Sequence, residues 1–271
     1  MSLAEQSVKL IDDSYENEER TELVRDYIGA SAVGHPCDAM LAFSLRGYPE
    51  DKPSPRLKRI FRLGHILEDE TVRDLKKGGD VIVWEKDGLT GKQYSYEELG
   101  GHIVCHMDGH IELTDGKVRV LEIKSMNDAS WKKFVKEGVK ISHPRYFSQC
   151  QMMMGMSGIH ESFFIAVNKN TSEYHAEIIA FDTFEYSHIQ DRINRILANQ
   201  ARRISEDESD WRCRDCFKRS VCWGKIDPPK ACQTCAHSYP NANGGWHCGK
   251  HDKQAVNVCE QYEIYKPLPK E

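Results

Sequence analysis

The sequence contains no apolar run approaching the roughly 18–20 residues that a membrane-crossing helix needs, so no membrane contact is expected. It has no internal repeat and no low-complexity tract, which excludes solenoids and collagen-like or linker-like chains. Residues 1–28 carry acids throughout and lack an apolar leader core, so no secretory signal is expected and the location is read as cytoplasmic. Positive charge is not in excess. Lysine and arginine number 37 against 42 aspartates and glutamates, a formal net charge of −5, so any surface for nucleic acid has to be local. Disorder is excluded by the 39% hydrophobic content, and 271 residues suit one large domain or two small ones. What is abundant is cysteine. In a chain with no expected leader, its ten cysteines point to metal ligands or buried thiols rather than disulfides.

Local patterns divide the chain. Residues 4–29 read as a helix through Val8, Leu10, Ile11, Leu23, Val24 and Tyr27, followed by a break from Ser31 to Pro36. A short helix is expected from Asp38 to Leu45. Pro49, Pro53 and Pro55 then mark a loop, and Ser54 opens a long helix to about Lys77, stopped by Gly78 and Gly79. Strands are expected at 81–84, 102–107 and 109–113. Asp115-Gly116 is a hairpin turn into a further strand from Lys117 to Lys124. Helices at 128–137 and 144–156, strands at 162–167 and 174–181, and a helix at 183–203 follow. Residues 211–262 are cysteine-rich and low in apolar periodicity.

The chemistry concentrates at His106-Met107-Asp108-Gly109 and Leu121-Glu122-Ile123-Lys124-Ser125. Glu122 and Lys124 are two apart on a strand and share a face, while Ile123 points the other way into a core. Asp108, at a strand break, can come alongside. Two carboxylates and a backbone carbonyl make a hard oxygen site suited to Mg²⁺ or Mn²⁺, with Lys124 placed to orient a water. The plain alternative is a surface ion pair on an amphipathic hairpin.

These residues resemble the PD-(D/E)XK nuclease superfamily, in its RecB-like and lambda-exonuclease-like (YqaJ) branches. Asp108 falls on the family's metal aspartate, Glu122 on its E and Lys124 on its K, while Met107 replaces the usual preceding proline. Gly64-His65-Ile66-Leu67-Glu68 resembles the helical G-x-x-x-E/H element that completes the metal site. Pro144 through Gln151 resembles the glutamine helix, with Gln149 as the matching residue. The tyrosine that follows in the RecB branch is Met153 here, and the Q-x-Q form is closer to the lambda-exonuclease type. The resemblance spans about residues 30–180, in the family's order. It implies an α/β, restriction-endonuclease-like core: a central mixed sheet flanked by helices. It also implies a metal-dependent deoxyribonuclease, more an exonuclease than an endonuclease, in DNA processing, recombination or repair. In that role Glu68, Asp108, Glu122 and Ile123 hold Mg²⁺ or Mn²⁺, and Lys124 and Gln149 orient the water. Arg56, Lys58, Arg59 and Arg62 form an acid-free stripe leading into Gly64 and could hold a DNA backbone, although an ordinary solvated face reads the same way. Lys132, Lys133 and Lys136 are lesser candidates.

Seven of the ten cysteines lie between 213 and 259. Cys213-x₂-Cys216-x₅-Cys222, together with Cys37 far upstream, resembles the layout of RecB-like nucleases of CRISPR adaptation and of AddB. This implies a [4Fe–4S] cluster clamping the ends of a domain over 1–225, shielded by Trp211, Phe217 and Trp223. Zn²⁺ is the rival occupant, and a merely buried Cys37 is a third reading. Cys232-x₂-Cys235-x₁₂-Cys248-x₁₀-Cys259 resembles a zinc ribbon or knuckle. A segment over 226–271 with few aliphatics calls for a structural metal, and His237, His247 or His251 could replace one cysteine. Cys105 and Cys150 read as core thiols. His102, His106 and His110 read as packing or DNA-backbone residues. The expected partners are DNA and a recombination or CRISPR-adaptation protein. The competing reading is a catalytically silent DNA-binding or iron–sulfur regulatory protein on the same fold.

Overall fold

The computed structural model describes residues 1–18 and 24–270. Its elements are α1 (Leu3–Glu16), β1 (Ile28–Gly29), α2 (Ala30–Val33), α3 (Asp38–Leu45), α4 (Pro55–Lys77), β2 (Ile82–Trp84), β3 (Ser95–Glu98), β4 (Ile103–His106), β5 (Gly109–Glu112) and β6 (Val118–Met126). Then come α5 (Asp128–Ser142), α6 (Pro144–Ser157), β7 (Glu161–Asn168), β8 (Tyr174–Ala180), α7 (Thr183–Leu197), α8 (Arg219–Cys222), β9 (Ser238–Pro240), β10 (Trp246–Cys248) and β11 (Lys253–Gln254). The chain is an α/β protein whose central sheet, ordered β2-β5-β6-β7-β8, is mixed: β6 and β7 run parallel and the other neighbours antiparallel.

Two of the helices are set by their ends. Ser54 caps α4 by accepting the Leu57 N–H, with Pro55 in the first turn. Asn127 caps α5 through the Ser130 N–H, and Gly138, at a φ of 71°, interrupts that helix where the expected one stops. The helix expected over 4–29 is shorter. It ends at Glu16, with Asn17 donating to the Asp13 carbonyl, and Leu23 lies outside the described residues. Ile28 is pulled instead into a parallel bridge with Ile103 and is fully buried, so pairing overrides the helical pattern. The expected break after Ser31 contains the four-residue α2. Gly34 follows it, pressed on the backbone of Arg145, where an added Cβ would sit 2.6 Å from a Cα.

Period-2 alternation on β6 builds two cores. Val120 and Met126 join a large cluster with Phe134, Cys150, Met152, Met153 and Phe164. Leu121 and Ile123 face the other way, against Val72 of α4 and Ile111 of β5. Cys105 and Cys150 are fully buried in the first cluster.

The cysteine-rich segment joins this body. Trp246 and Tyr265 enter the large core. Arg46, only 1% exposed at the end of α3, donates to the carbonyls of Gln233 (2.6 Å), Cys235 (2.9 Å) and Ser238 (2.8 Å) and to the Asn199 side chain (2.5 Å). Its guanidinium also lies 4.0 Å from the Tyr265 ring centre. Burial pulls its pKa down to about 10, still far above neutrality, so it remains a cation held by carbonyl dipoles and ring faces.

Candidate active site and cysteine centres

The strand run 103–113 changes sheet at Asp108. β4 belongs to a small sheet with β1 and β3, and β5 to the central sheet. Pairing between β5 and β6 therefore ends at Gly109 opposite Leu121. The next inward-facing donor on β6, the Ile123 N–H, would be left unpaired, and the Asp108 carboxylate accepts it at 2.8 Å. Gly109 makes the crossing possible: at a φ of 155°, its missing Cβ would lie 2.6 Å from the Trp84 carbonyl.

Glu122 and Lys124 stand on one face of β6, as the spacing requires, and form an ion pair. Glu122 is 1% exposed and the Lys124 side chain 21%. Burial pushes the Glu122 carboxyl up to about 8; Lys124 opposes this and Asp108 adds to it. Burial works against charge on Lys124, but Glu122 and Asp108 outweigh it and hold its pKa above the ordinary lysine value. Glu68 reaches the same neighbourhood from α4. Its pKa is raised by burial and then by Asp108, against a hydrogen-bond contact with His65 Nδ1 at 3.2 Å. α4 passes β6 at Gly64, where a Cβ would be 3.9 Å from Ser125 Oγ.

Three carboxylates from three elements thus share one ammonium. The uncompensated negative charge and the hard oxygen donors suit a small divalent cation. Among the described residues, no three His, Cys, Asp or Glu side chains close into a coordination cage as they stand.

Gln149 is buried on α6 with no side-chain hydrogen bond among the described residues, whereas the Gln151 side chain is committed to structure. Gln151 donates to the Ala180 carbonyl at 3.1 Å and accepts the Asp182 N–H at 2.7 Å. This separates the two glutamines of the Q-x-Q pair. One turn before Gln149, the Tyr146 ring centre lies 5.4 Å from Lys124 Nζ, and the ring stacks on His143 at 11°. The sequence reading did not single out Tyr146; its place beside Gln149 on a helical i, i+3 spacing was the available signal.

The basic stripe is half engaged. Arg59 pairs with Asp12 and Lys58 with Glu18, while Arg56 and Arg62 have no acidic partner among the described residues. Lys132 and Lys133 pair within their own helix. His102 and His110 are buried. His102 meets the Gly245 carbonyl at 2.7 Å, and the His110 ring centre lies 4.0 Å from that of Tyr94 at a tilt of 33°, with burial lowering its pKa. His106 is exposed beside Tyr27.

The two cysteine quartets gather from distant segments. Cys37 precedes α3, and Cys213, Cys216 and Cys222 sit in the turns around α8. Burial raises the thiol pKa of Cys213, Cys216 and Cys222, the last two to about 11. Each of the three is raised further by Cys37. Cys232 is raised by burial, then by Cys235, Cys248 and Cys259. His251 Nε2 lies 3.4 Å from Cys259 Sγ. Among the described residues, neither quartet closes into a metal-holding group as it stands. Trp211, expected as a shield, is 75% exposed, while Trp223 lies half-buried under Arg203.

No family model matches the sequence, and no curated protein is similar to it. Solved structures with a related chain path include an alkaline exonuclease, LHK-Exo, from Laribacter hongkongensis. It is 19% identical, with a TM-score of 0.48 over 70% of this chain and 91% of that one. The same enzyme in complex with dAMP gives 21%, 0.47, 64% and 87%. A phage-related exonuclease from Haemophilus somnus 129PT gives 16%, 0.43, 62% and 78%.

Proposed function

We propose that the protein is a metal-dependent DNA exonuclease. The observation that carries this reading is the convergence of Glu68, Asp108, Glu122 and Lys124, from α4, the sheet crossing and β6, on one buried charged site. Glu68, Asp108, Glu122 and the Ile123 carbonyl would hold one or two Mg²⁺ or Mn²⁺ ions, whose chemistry is polarisation of a phosphoryl oxygen and ionisation of bound water. Lys124 fixes the attacking water and offsets charge on the phosphoryl oxygens, and Gln149 donates to the same region. Tyr146 keeps the ammonium in place by presenting its ring face. Hydrolysis adds hydroxide to phosphorus and breaks the P–O3′ bond. The departing 3′-oxygen takes up a proton and the 5′-phosphate stays on the product.

In the same reading, Cys37, Cys213, Cys216 and Cys222 hold a [4Fe–4S] cluster and Cys232, Cys235, Cys248 and Cys259 a zinc ion. Both are structural, tying segments that lie far apart along the chain. Digestion of linear duplex DNA in Mn²⁺ by the wild type and by Lys124→Ala tests the nuclease reading. A loss of at least about 100-fold in the variant is expected for removal of a charge-stabilising group. Equal digestion by the two proteins would sink it.

A further inference from the structure

The first helix lies along the basic stripe of α4. Arg59 donates to Asp12 at 2.6 Å, and its guanidinium sits 5.4 Å from the Tyr15 ring centre. Lys58 donates to the Tyr15 carbonyl at 2.5 Å and reaches the Glu18 carboxylate at 3.3 Å. Residues 1–18 hold five acids (Glu5, Asp12, Asp13, Glu16 and Glu18) against the single base Lys9. No residue of α1 is buried, so surface ion pairs and the Tyr15 contacts are what hold it against α4. Such pairs are individually weak and are screened by salt.

We propose that α1 is a built-in competitor of DNA. Its acidic face takes the place of a phosphate backbone on Lys58 and Arg59, and the backbone must displace it to reach the full stripe. The inference rests on the nuclease reading, because the same helix leads from the stripe to Glu68. Arg56 and Arg62 offer the first contacts, and each phosphate that gains Lys58 or Arg59 costs α1 one of its anchors. A ligand dense in phosphate displaces the helix; a short or charge-poor one does not. The helix thereby lowers affinity and selects for continuous backbone.

The test compares full-length wild type with two double variants that lose the same charge from α1. Asp12→Asn with Glu18→Gln removes the acids that touch α4. Asp13→Asn with Glu16→Gln removes acids with no ion pair to α4 among the described residues, Asp13 pairing with Lys9 of α1 instead. Binding of a duplex DNA long enough to cover the whole stripe is measured in Ca²⁺ at low salt, with amide hydrogen exchange of residues 3–16 followed with and without DNA. The first variant is expected to bind about three- to ten-fold tighter, the scale of two exposed ion pairs, and the second to remain near wild type. DNA is expected to speed exchange in α1 of the wild type. Equal gains in both variants, no gain in either, or slowed exchange on binding would each overturn the proposal while leaving the nuclease reading intact. Failure of the wild type to bind DNA at any salt would remove both.

Discussion

Glu122 gives the sharpest test of the site. Before a cation binds, its carboxyl is pushed to about 8 by burial, against the ordinary 4.5. It then ionises as pH rises through about 8. A ligand must be charged to hold a divalent ion, so binding has to expel that proton. Apparent Mn²⁺ affinity should rise close to ten-fold per pH unit below about 8 and level off above it. Calorimetric titration of Mn²⁺ in buffers of different ionisation enthalpy should detect proton release at pH 7 that declines toward pH 9. The same shift makes a statement about stability. A raised folded-state pKa contributes stability that is fully present below 4.5 and is lost as pH rises through about 8. Glu122→Gln should therefore stabilise the Mn²⁺-free protein more at pH 8 than at pH 4.5, as read by urea unfolding at the two pH values. Mn²⁺ affinity independent of pH between about 6 and 9, with no proton release, would falsify the assignment of a buried, cation-seeking carboxyl.

Further outcomes follow from the same geometry. Tyr146→Leu should lower kcat about ten-fold with KM nearly unchanged, while Tyr146→Phe should keep activity because the ring face does the positioning; equal loss in both would show that the hydroxyl matters instead. Arg46→Ala should destabilise the fold by roughly 3–5 kcal/mol in urea unfolding, since it strands the buried carbonyls of Gln233, Cys235 and Ser238. Cys37→Ser should abolish bound iron in anaerobically purified protein, measured by elemental analysis and the visible charge-transfer band, yet leave about one zinc; two zincs and no iron in the wild type would reassign the first quartet. Gly109→Ala should lower both stability and activity, because its Cβ would collide with the Trp84 carbonyl and shift the adjacent Asp108, whose carboxylate accepts the Ile123 N–H.

Much of the framework is local and therefore legible in the chain. Ser54-Pro55 starts α4, Asp115-Gly116 turns β5 into β6, and alternation along Val120-Leu121-Glu122-Ile123-Lys124 separates a core-facing isoleucine from a charged pair. These depend on residues within a few positions of one another, where capping, turn and pleat geometry act. β3 was not legible: Ser95–Glu98 has little apolar alternation and becomes a strand only because β4 offers it an edge. The end of α1 at Glu16 was hidden for a similar reason, since the competing partner of Ile28 is Ile103, far along the chain.

The sequence by itself determined which residue types carry chemistry and which of them share a strand face or a helix turn, because side-chain direction follows from local backbone period. Tertiary structure decided what those residues feel. The parting of two sheets at Asp108 leaves the Ile123 N–H for a carboxylate. Burial makes Glu122 a weak acid. The packing of α1 and of the cysteine-rich segment decides that Lys58 and Arg59 face acids and that Arg46 faces carbonyls. These are effects of desolvation and of contacts between residues far apart in sequence, which no local pattern encodes.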